Sequence, residues 1–380
     1  MAFAFTWFVI SLRDAAIAAV MTEDDLVCET VDVGCQPAQR EEIERFLARC
    51  GLGIDAGVDA FVVCRFGGRM VACAGLELNI VKCVATDPIC RGESISLKVV
   101  SEVIHLAYER GYSHLFLYTR PHSADFFAGC GFYRIVEVPG LVTIMENTPL
   151  GIRAYCRRLA TLRQPGARIG AIVMNANPFT SGHEFLVRQA LERCDWLHLF
   201  VVAEDTSQFS YADRFRLVRE GIAGMERITL HPGSPYIISR ATFSSYFFKE
   251  KGLVGDSVTA VDLLIFRNFI APALGVTHRF VGTEPFCPTT RKYNSDMKHW
   301  LQQEEVSAAA SVAVVEVPRQ EMAGIPISAS QVRRLLKIDD WEVIARLVPA
   351  TTLAFLLKKY PSAAALAFDA ARAPAHTAGN

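Results

Sequence analysis

The chain lacks most features that would let composition alone declare a role. Lys and Arg number 39 against 40 Asp and Glu over 380 residues, a net charge of -1. No bulk charge therefore draws it to nucleic acid or an anionic membrane, and neither is expected as a partner. Its 11 cysteines are odd in number and scattered, with no Cys-x-x-Cys pair. That argues against a zinc knuckle and a secreted disulfide framework; mostly buried, free thiols in a reducing cytoplasm fit better. The 9 histidines form no His-x-x-x-His cluster, so no protein-built transition-metal site shows. The apolar run from Met1 to Val20 is broken by Arg13 and Asp14, short of the ~20 residues a membrane span needs. No positive charge precedes Phe3-Ala4-Phe5, as a signal peptide requires. We read residues 1–22 as a functionless arm, with Met21 as the working start, and residues 361–380, rich in alanine, as a disordered tail.

What the chain has is length for two domains with a core each, and two differently patterned halves. In the first, Ile43, Phe46 and Leu47 share one face of a helix expected from Gln39 to Cys50. Phe61–Cys64 and Met70–Cys73 flank Gly67-Gly68, a strong hairpin signal. A strand over Ile80–Ala85 precedes a helix over Ile95–Glu109, then a strand over His114–Tyr118 and a short helix over Ser123–Ala128. Phe132-Tyr133 opens a further strand. Strand, Arg-Gly turn, long helix, strand and a late Gly-Phe-Tyr together resemble the GNAT acetyltransferase fold. There the turn before the long helix holds a coenzyme A pyrophosphate on backbone N–H groups. The resemblance implies that Arg91 and Gly92 cradle a CoA-like arm. Ile89 and Ser94 depart from the family's Arg/Gln-x-x-Gly-x-Gly/Ala pattern, so a GNAT-like α+β domain over residues 23–150, without acetyltransferase activity, is expected.

A basic helical link over residues 151–167, with Arg153, Arg157, Arg158 and Arg163, ends at Pro165-Gly166. Strands and helices then alternate through residues 168–360, which argues an α/β, doubly wound parallel sheet of Rossmann-like type. Its first strand, Ile169–Met174, runs into Asn175-Ala-Asn-Pro-Phe-Thr-Ser-Gly-His183, where a helix begins. Strand, tight turn and helix present free N–H groups to a phosphate. Asn177-Pro178 shapes the turn. Gly182 lets a ligand come close, and Thr180 and His183 aim side chains at the helix end. Thr-x-Gly-His in this setting resembles the signature of the nucleotidyltransferase superfamily, where the pair grips the phosphates of a nucleoside triphosphate.

A second phosphate-side element is Ile327-Ser-Ala-Ser-Gln-Val-Arg333. Ser328 or Ser330 is a good N-cap. Arg333 then falls in the first helical turn, electrostatically misplaced unless an anion is near. This resembles the superfamily's Ile-Ser-x-[Ser/Thr]-x-x-Arg motif, whose helix end and arginine take the β and γ phosphates. Gly282-Thr-Glu284 after a strand reads as a nucleotide-side loop or a plain βα loop. The stretch Ser234–Phe243 could line an acyl pocket, with Arg240 meeting a carboxylate, or be a packed strand. Lys249 and Asp262 could serve phosphates or Mg2+, and His198 reads as structural.

The two halves, with Asp195–Phe200, Tyr236–Phe243, Gly282–Cys287 and both phosphate motifs, resemble the citrate (pro-3S)-lyase ligase family from about Glu23 to Tyr360. That resemblance implies an ATP- and Mg2+-using acid–thiol ligase. Acetate attacks ATP to give acetyl-adenylate, and the acetyl group passes to the phosphoribosyl-dephospho-CoA arm on the acyl carrier subunit of the citrate lyase complex. It implies catalytic roles for His183, Thr180 and Arg333. ATP contacts would come from Asn177, Pro178, Gly182, Gly282, Glu284, Ser328 and Ser330, and substrate contacts from Arg240 and Lys249. Two other readings stay open: an adenylyltransferase of coenzyme biosynthesis acting on a phosphorylated acceptor, and a non-catalytic nucleotide-sensing protein.

Overall fold

A computed structural model describes residues 26–55, 57–90, 93–203, 208–237, 254–283, 288–322 and 325–372. It divides into two compact units, Met1–Gly151 with Ser244–Val261, and Ile152–Phe243 with Asp262–Asn380. The arm over residues 1–22 lies outside the described residues.

The first unit is a seven-stranded sheet of β1 (Leu26–Asp32), β2 (Ala60–Phe66), β3 (Arg69–Glu77), β4 (Ile80–Thr86), β5 (Phe116–Thr119), β6 (Tyr133–Val138) and β7 (Val142–Glu146). Its order is β1-β2-β3-β4-β5-β7-β6. Every neighbouring pair is antiparallel except β4 and β5, whose parallel pairing covers only Ile80↔Phe116 and Val81↔Leu117. Two-residue alternation sorts β2 between faces. Val62 joins Val99, Val103 and Leu106 of α2 (Glu93–Glu109), whereas Phe61 and Val63 join Ile43, Phe46 and Leu47 of α1 (Pro37–Arg49). This is the GNAT-like α+β architecture expected, with α3 (Ala124–Gly129) leading into β6. Arg91 and Gly92 lie outside the described residues.

Two features of this unit are absent from the sequence expectations. The sheet begins with β1, which carries only weak alternation because much of this edge strand is exposed. Not all thiols there are free either: Cys28 and Cys64 face each other across β1 and β2 and are disulfide-bonded. Among the described residues eight other cysteines form no disulfide.

In the second unit α4 (Gly151–Ala160) precedes β8 (Ile169–Met174), α5 (Ser181–Leu191), β9 (Trp196–Val201), α6 (Tyr211–Gly221) and β10 (Ile228–His231). From Asp262 onward, within α7 (Val254–Ile265), the unit continues through a π-helical turn (Phe266–Ile270), α8 (Ala271–Leu274), β11 (His278–Gly282), α9 (Pro288–Gln302) and β12 (Ala313–Val317). The sheet order is β10-β9-β8-β11-β12, all parallel. The chain winds outward from β8 to β10, then returns to the other side of β8 as β11. Strand order therefore reverses between β8 and β11, and the crevice beyond their carboxyl ends is where such sheets take ligands. Ile172, Leu199 and Phe280 pack with Val187 of α5 and Leu217 and Val218 of α6.

Four more helices follow: α10 (Ala329–Leu335), α11 (Trp341–Leu347), α12 (Ala350–Lys359) and α13 (Ala363–Arg372). The last differs from the disordered tail expected over residues 361–380, of which 373–380 lie outside the described residues. Alanine is the strongest helix former, Ser362 Oγ accepts from Ala365 N at 3.0 Å, and Ala365 is buried with Ile344 and Leu356. Among the described residues no helix is long and apolar enough to cross a membrane.

Candidate active site

The chain leaves β8 through Asn175 and Ala176, the latter in a left-handed conformation at φ 49°, and the Asn177–Pro178 peptide is cis. Phe179, fully buried, anchors the turn in the core. Thr180 then caps α5, and Thr180 and His183 form a reciprocal capping box. The Thr180 backbone N–H donates to His183 Nδ1 at 3.0 Å, and Thr180 Oγ1 lies 2.8 Å from the same nitrogen. An acceptor at Nδ1 assigns the ring proton to Nε2. The imidazole stacks on Phe179 with centroids 5.7 Å apart. Part of its surface stays open, yet burial, and then the Arg319 charge, push its pKa down to about 4. At neutral pH His183 is thus an uncharged donor at a helix N-terminus.

The second motif closes on the first. Arg333 Nη1 donates to the Asn177 carbonyl at 2.5 Å across 156 residues. Ser328 caps α10, accepting from Gln331 N at 3.2 Å, and its hydroxyl lies 3.0 Å from that of Ser330. Arg333 sits in the last turn of this short helix, not the first as expected, because the helix is only seven residues long. Burial lowers its pKa. Gly182 also needs rereading: a Cβ there would lie 3.1 Å from the Ile327 carbonyl oxygen. Its missing side chain lets protein backbone approach, joining the two motifs. Asn177 is committed inward as well, its Oδ1 accepting from Phe209 N at 3.2 Å.

Two arginines escaped the sequence reading. Arg319, just past β12, donates from Nε to the Thr283 carbonyl at 2.6 Å, beside Gly282, and its charge is felt at His183. A cation at the carboxyl end of a strand bordering the crevice was the signal available. Arg214, fully buried in α6, donates to Asn175 O at 2.9 Å, Asn175 Oδ1 at 2.8 Å, Val202 O at 2.8 Å and Phe209 O at 3.2 Å. It ties the ends of β8 and β9 together.

Other expected residues fall elsewhere. His198 is buried and paired with His231, Nδ1 to Nε2 at 2.9 Å. Asp262 is buried in α7 and accepts from the Tyr293 hydroxyl at 2.7 Å. Arg240, Lys249 and Glu284 lie outside the described residues. Among the described residues no group of three His, Cys, Asp or Glu side chains is placed to hold a metal ion.

A switch-point crevice with a Thr-Ser-Gly-His helix end and a converging arginine defines a nucleotidyltransferase-like domain, which follows a GNAT-like one along the chain. A family model described as the citrate lyase ligase C-terminal domain matches residues 169–356. The citrate (pro-3S)-lyase ligase of Klebsiella pneumoniae is 49% identical over 333 residues, covering 88% of this chain and 97% of that protein. The chain belongs to the citrate (pro-3S)-lyase ligase family and is an enzyme, a ligase. Among solved structures, Thermotoga maritima TmcAL bound with alpha-thio ATP aligns with a TM-score of 0.29 and 13% identity, over 50% of this chain and 56% of that one. An acyl-CoA N-acyltransferase from Pseudomonas aeruginosa aligns with a TM-score of 0.29 and 12% identity, over 32% of this chain and 99% of that one.

Proposed function

We propose that this enzyme uses ATP and acetate to acetylate the thiol of the phosphoribosyl-dephospho-CoA arm on the acyl carrier subunit of citrate lyase. One observation carries the reading: Arg333 reaches the Asn177 carbonyl, so a guanidinium stands beside the capped end of α5. In the first step a carboxylate oxygen of acetate attacks the α-phosphorus, the bond to the bridging oxygen breaks, and pyrophosphate leaves. In the second, the arm's thiolate attacks the acyl carbon and AMP departs with that acetate oxygen. Neither step needs a protein nucleophile, only held reactants and compensated charge.

His183 donates Nε2–H, with the first N–H groups of α5, to charge growing on the α-phosphate. Arg333 faces the departing pyrophosphate, with Ser328 and Ser330 alongside and Gly282 on the nucleotide side. Mg2+ would suit this donor set only as a companion of the triphosphate, whose oxygens, with water, would supply its ligands. Arg91 and Gly92 are assigned to the arm, and Arg240, Lys249 and Glu284 to substrate and nucleotide. The reading places the enzyme in the cytoplasm.

Exchange of labelled pyrophosphate into ATP tests it. Exchange should require acetate and Mg2+ but no carrier, and deacetylated citrate lyase should then drain the adenylate to AMP and regain activity. Exchange that ignores acetate and demands a phosphorylated acceptor would instead make the enzyme an adenylyltransferase.

A further inference from the structure

Arg279 lies on β11, three residues before Gly282, and is 3% exposed. Because Phe280 joins the core with α5 and α6, strand alternation turns Arg279 to the opposite face of the sheet. A guanidinium carries five N–H donors and keeps its charge, so burial obliges the fold to meet those donors. Elsewhere it does: Arg214 has the four acceptors given above, and buried Arg267 donates to the carbonyls of Trp300, Gln303, Ser307 and Ala309. Arg279 differs. Its Nη1 has no hydrogen-bond partner.

Phe266 lies 4.4 Å from its Cζ and covers one face of the guanidinium, leaving the N–H edge. Asp262 is near enough for its charge to act on it, but Asp262 takes the Tyr293 hydroxyl. Next to Tyr293, Asn294 is also 3% exposed. Its Nδ2 donates to the Gly282 carbonyl at 3.0 Å while its Oδ1 goes unpartnered. The unmatched Arg279 donor is the one that a carboxylate, which only accepts, can meet, and the Asn294 bond ties α9 to the Gly282 end of β11. Burying unmatched polar groups is costly, which marks a place completed by a ligand.

We propose that Arg279 binds the carboxylate of the acid substrate. This rests on the adenylating reading above and names where its acid sits. The guanidinium edge meets a carboxylate in two parallel bonds. The triphosphate fits worse: the Asp262 carboxylate leaves the patch near neutral, which a monoanion tolerates and a polyanion does not. The apolar ring of Phe266 suits a small alkyl acid.

The test measures pyrophosphate exchange by the full-length protein against acetate and, separately, against ATP, for wild type, Arg279→Lys and Tyr293→Phe. Arg279→Lys should raise the KM for acetate about 10²-fold, the order expected when one member of a buried charge-assisted pair is lost, and leave the KM for ATP unchanged. Tyr293→Phe takes one donor from the Asp262 carboxylate, which then competes for the guanidinium, and should raise the acetate KM about tenfold. Acetate with a non-hydrolysable ATP analogue should raise the melting temperature of wild type but not of Arg279→Lys. A folded Arg279→Lys with wild-type acetate KM overturns the proposal. Should that variant not fold, an unchanged acetate KM in Tyr293→Phe overturns it. Wild-type exchange indifferent to acetate would instead sink the adenylating reading beneath it.

Discussion

His183 holds two jobs that substitution can separate. As the third helical residue it accepts from Thr180 N–H, closing the capping box; as a neutral ring it is proposed to offer Nε2–H to the α-phosphate. His183→Ala removes both. The lost cap costs about 1 kcal/mol, a fall of about 2–4 °C in Tm for a domain of this size. The lost donor costs about 10²–10³-fold in pyrophosphate exchange, the usual toll of one preorganised charge-stabilising donor. Glu and Gln are the ordinary capping-box partners at this position, so both His183→Glu and His183→Gln should restore Tm. Only Gln brings an N–H donor, so it should recover part of the rate, while the Glu carboxylate faces the phosphates and leaves exchange at or below the Ala level. Melting curves and exchange rates for the three variants decide it. A His183→Glu protein that is stable and exchanges at the wild-type rate would refute the donor role and leave His183 a cap.

Three further outcomes follow from the same geometry. Arg333→Lys keeps the charge but loses the planar fork, so the KM for ATP should rise at least tenfold with Tm little changed; an unaltered KM contradicts a phosphate role. Arg214→Met strips four acceptors at the ends of β8 and β9 of their donor, so urea denaturation should show a loss above ~3 kcal/mol, and near-native stability would show those carbonyls find other partners. Burial holds His183 at about 4, His198 at about 4 and His231 at about 3. These groups are neutral when folded and take protons near 6.5 when unfolded, so their stability contribution is full above pH 6.5 and lost as pH falls toward 4. Near pH 5 the slope should reach about 4 kcal/mol per pH unit, and a urea midpoint that stays flat from pH 7 to 5 contradicts it.

Both motifs proposed for phosphates were legible because their signals are local. Thr180 and Ser328 cap helices by their chemistry, and an apolar β-branched run marks β8. The alternation of strand and helix likewise gave the parallel sheet. What escaped depends on partners distant in sequence. Gly182 looks like a glycine cleared for a ligand until Ile327 is seen against it. Arg214, Arg319 and Arg279 look like ordinary charged residues until the strand order sets their neighbours. Seven residues of α10 are too few for Arg333 to stay in the first turn once Ser328 is the cap. Residues 363–372 escape for another reason: alanine-rich low complexity looks like disorder, while alanine's helix preference and the burial of Ala365 favour α13.

Transfer of oxygen from acetate tests the central claim most directly. If acetate attacks the α-phosphorus and the thiol then takes the acetyl group, acetate labelled with 18O in both carboxylate positions must leave one labelled oxygen in AMP for each carrier acetylated. Mass spectrometry of the AMP and pyrophosphate formed in a single turnover, with deacetylated citrate lyase as acceptor, reads this out. The account predicts singly labelled AMP and unlabelled pyrophosphate. Unlabelled AMP, or label in a released phosphate, would contradict it.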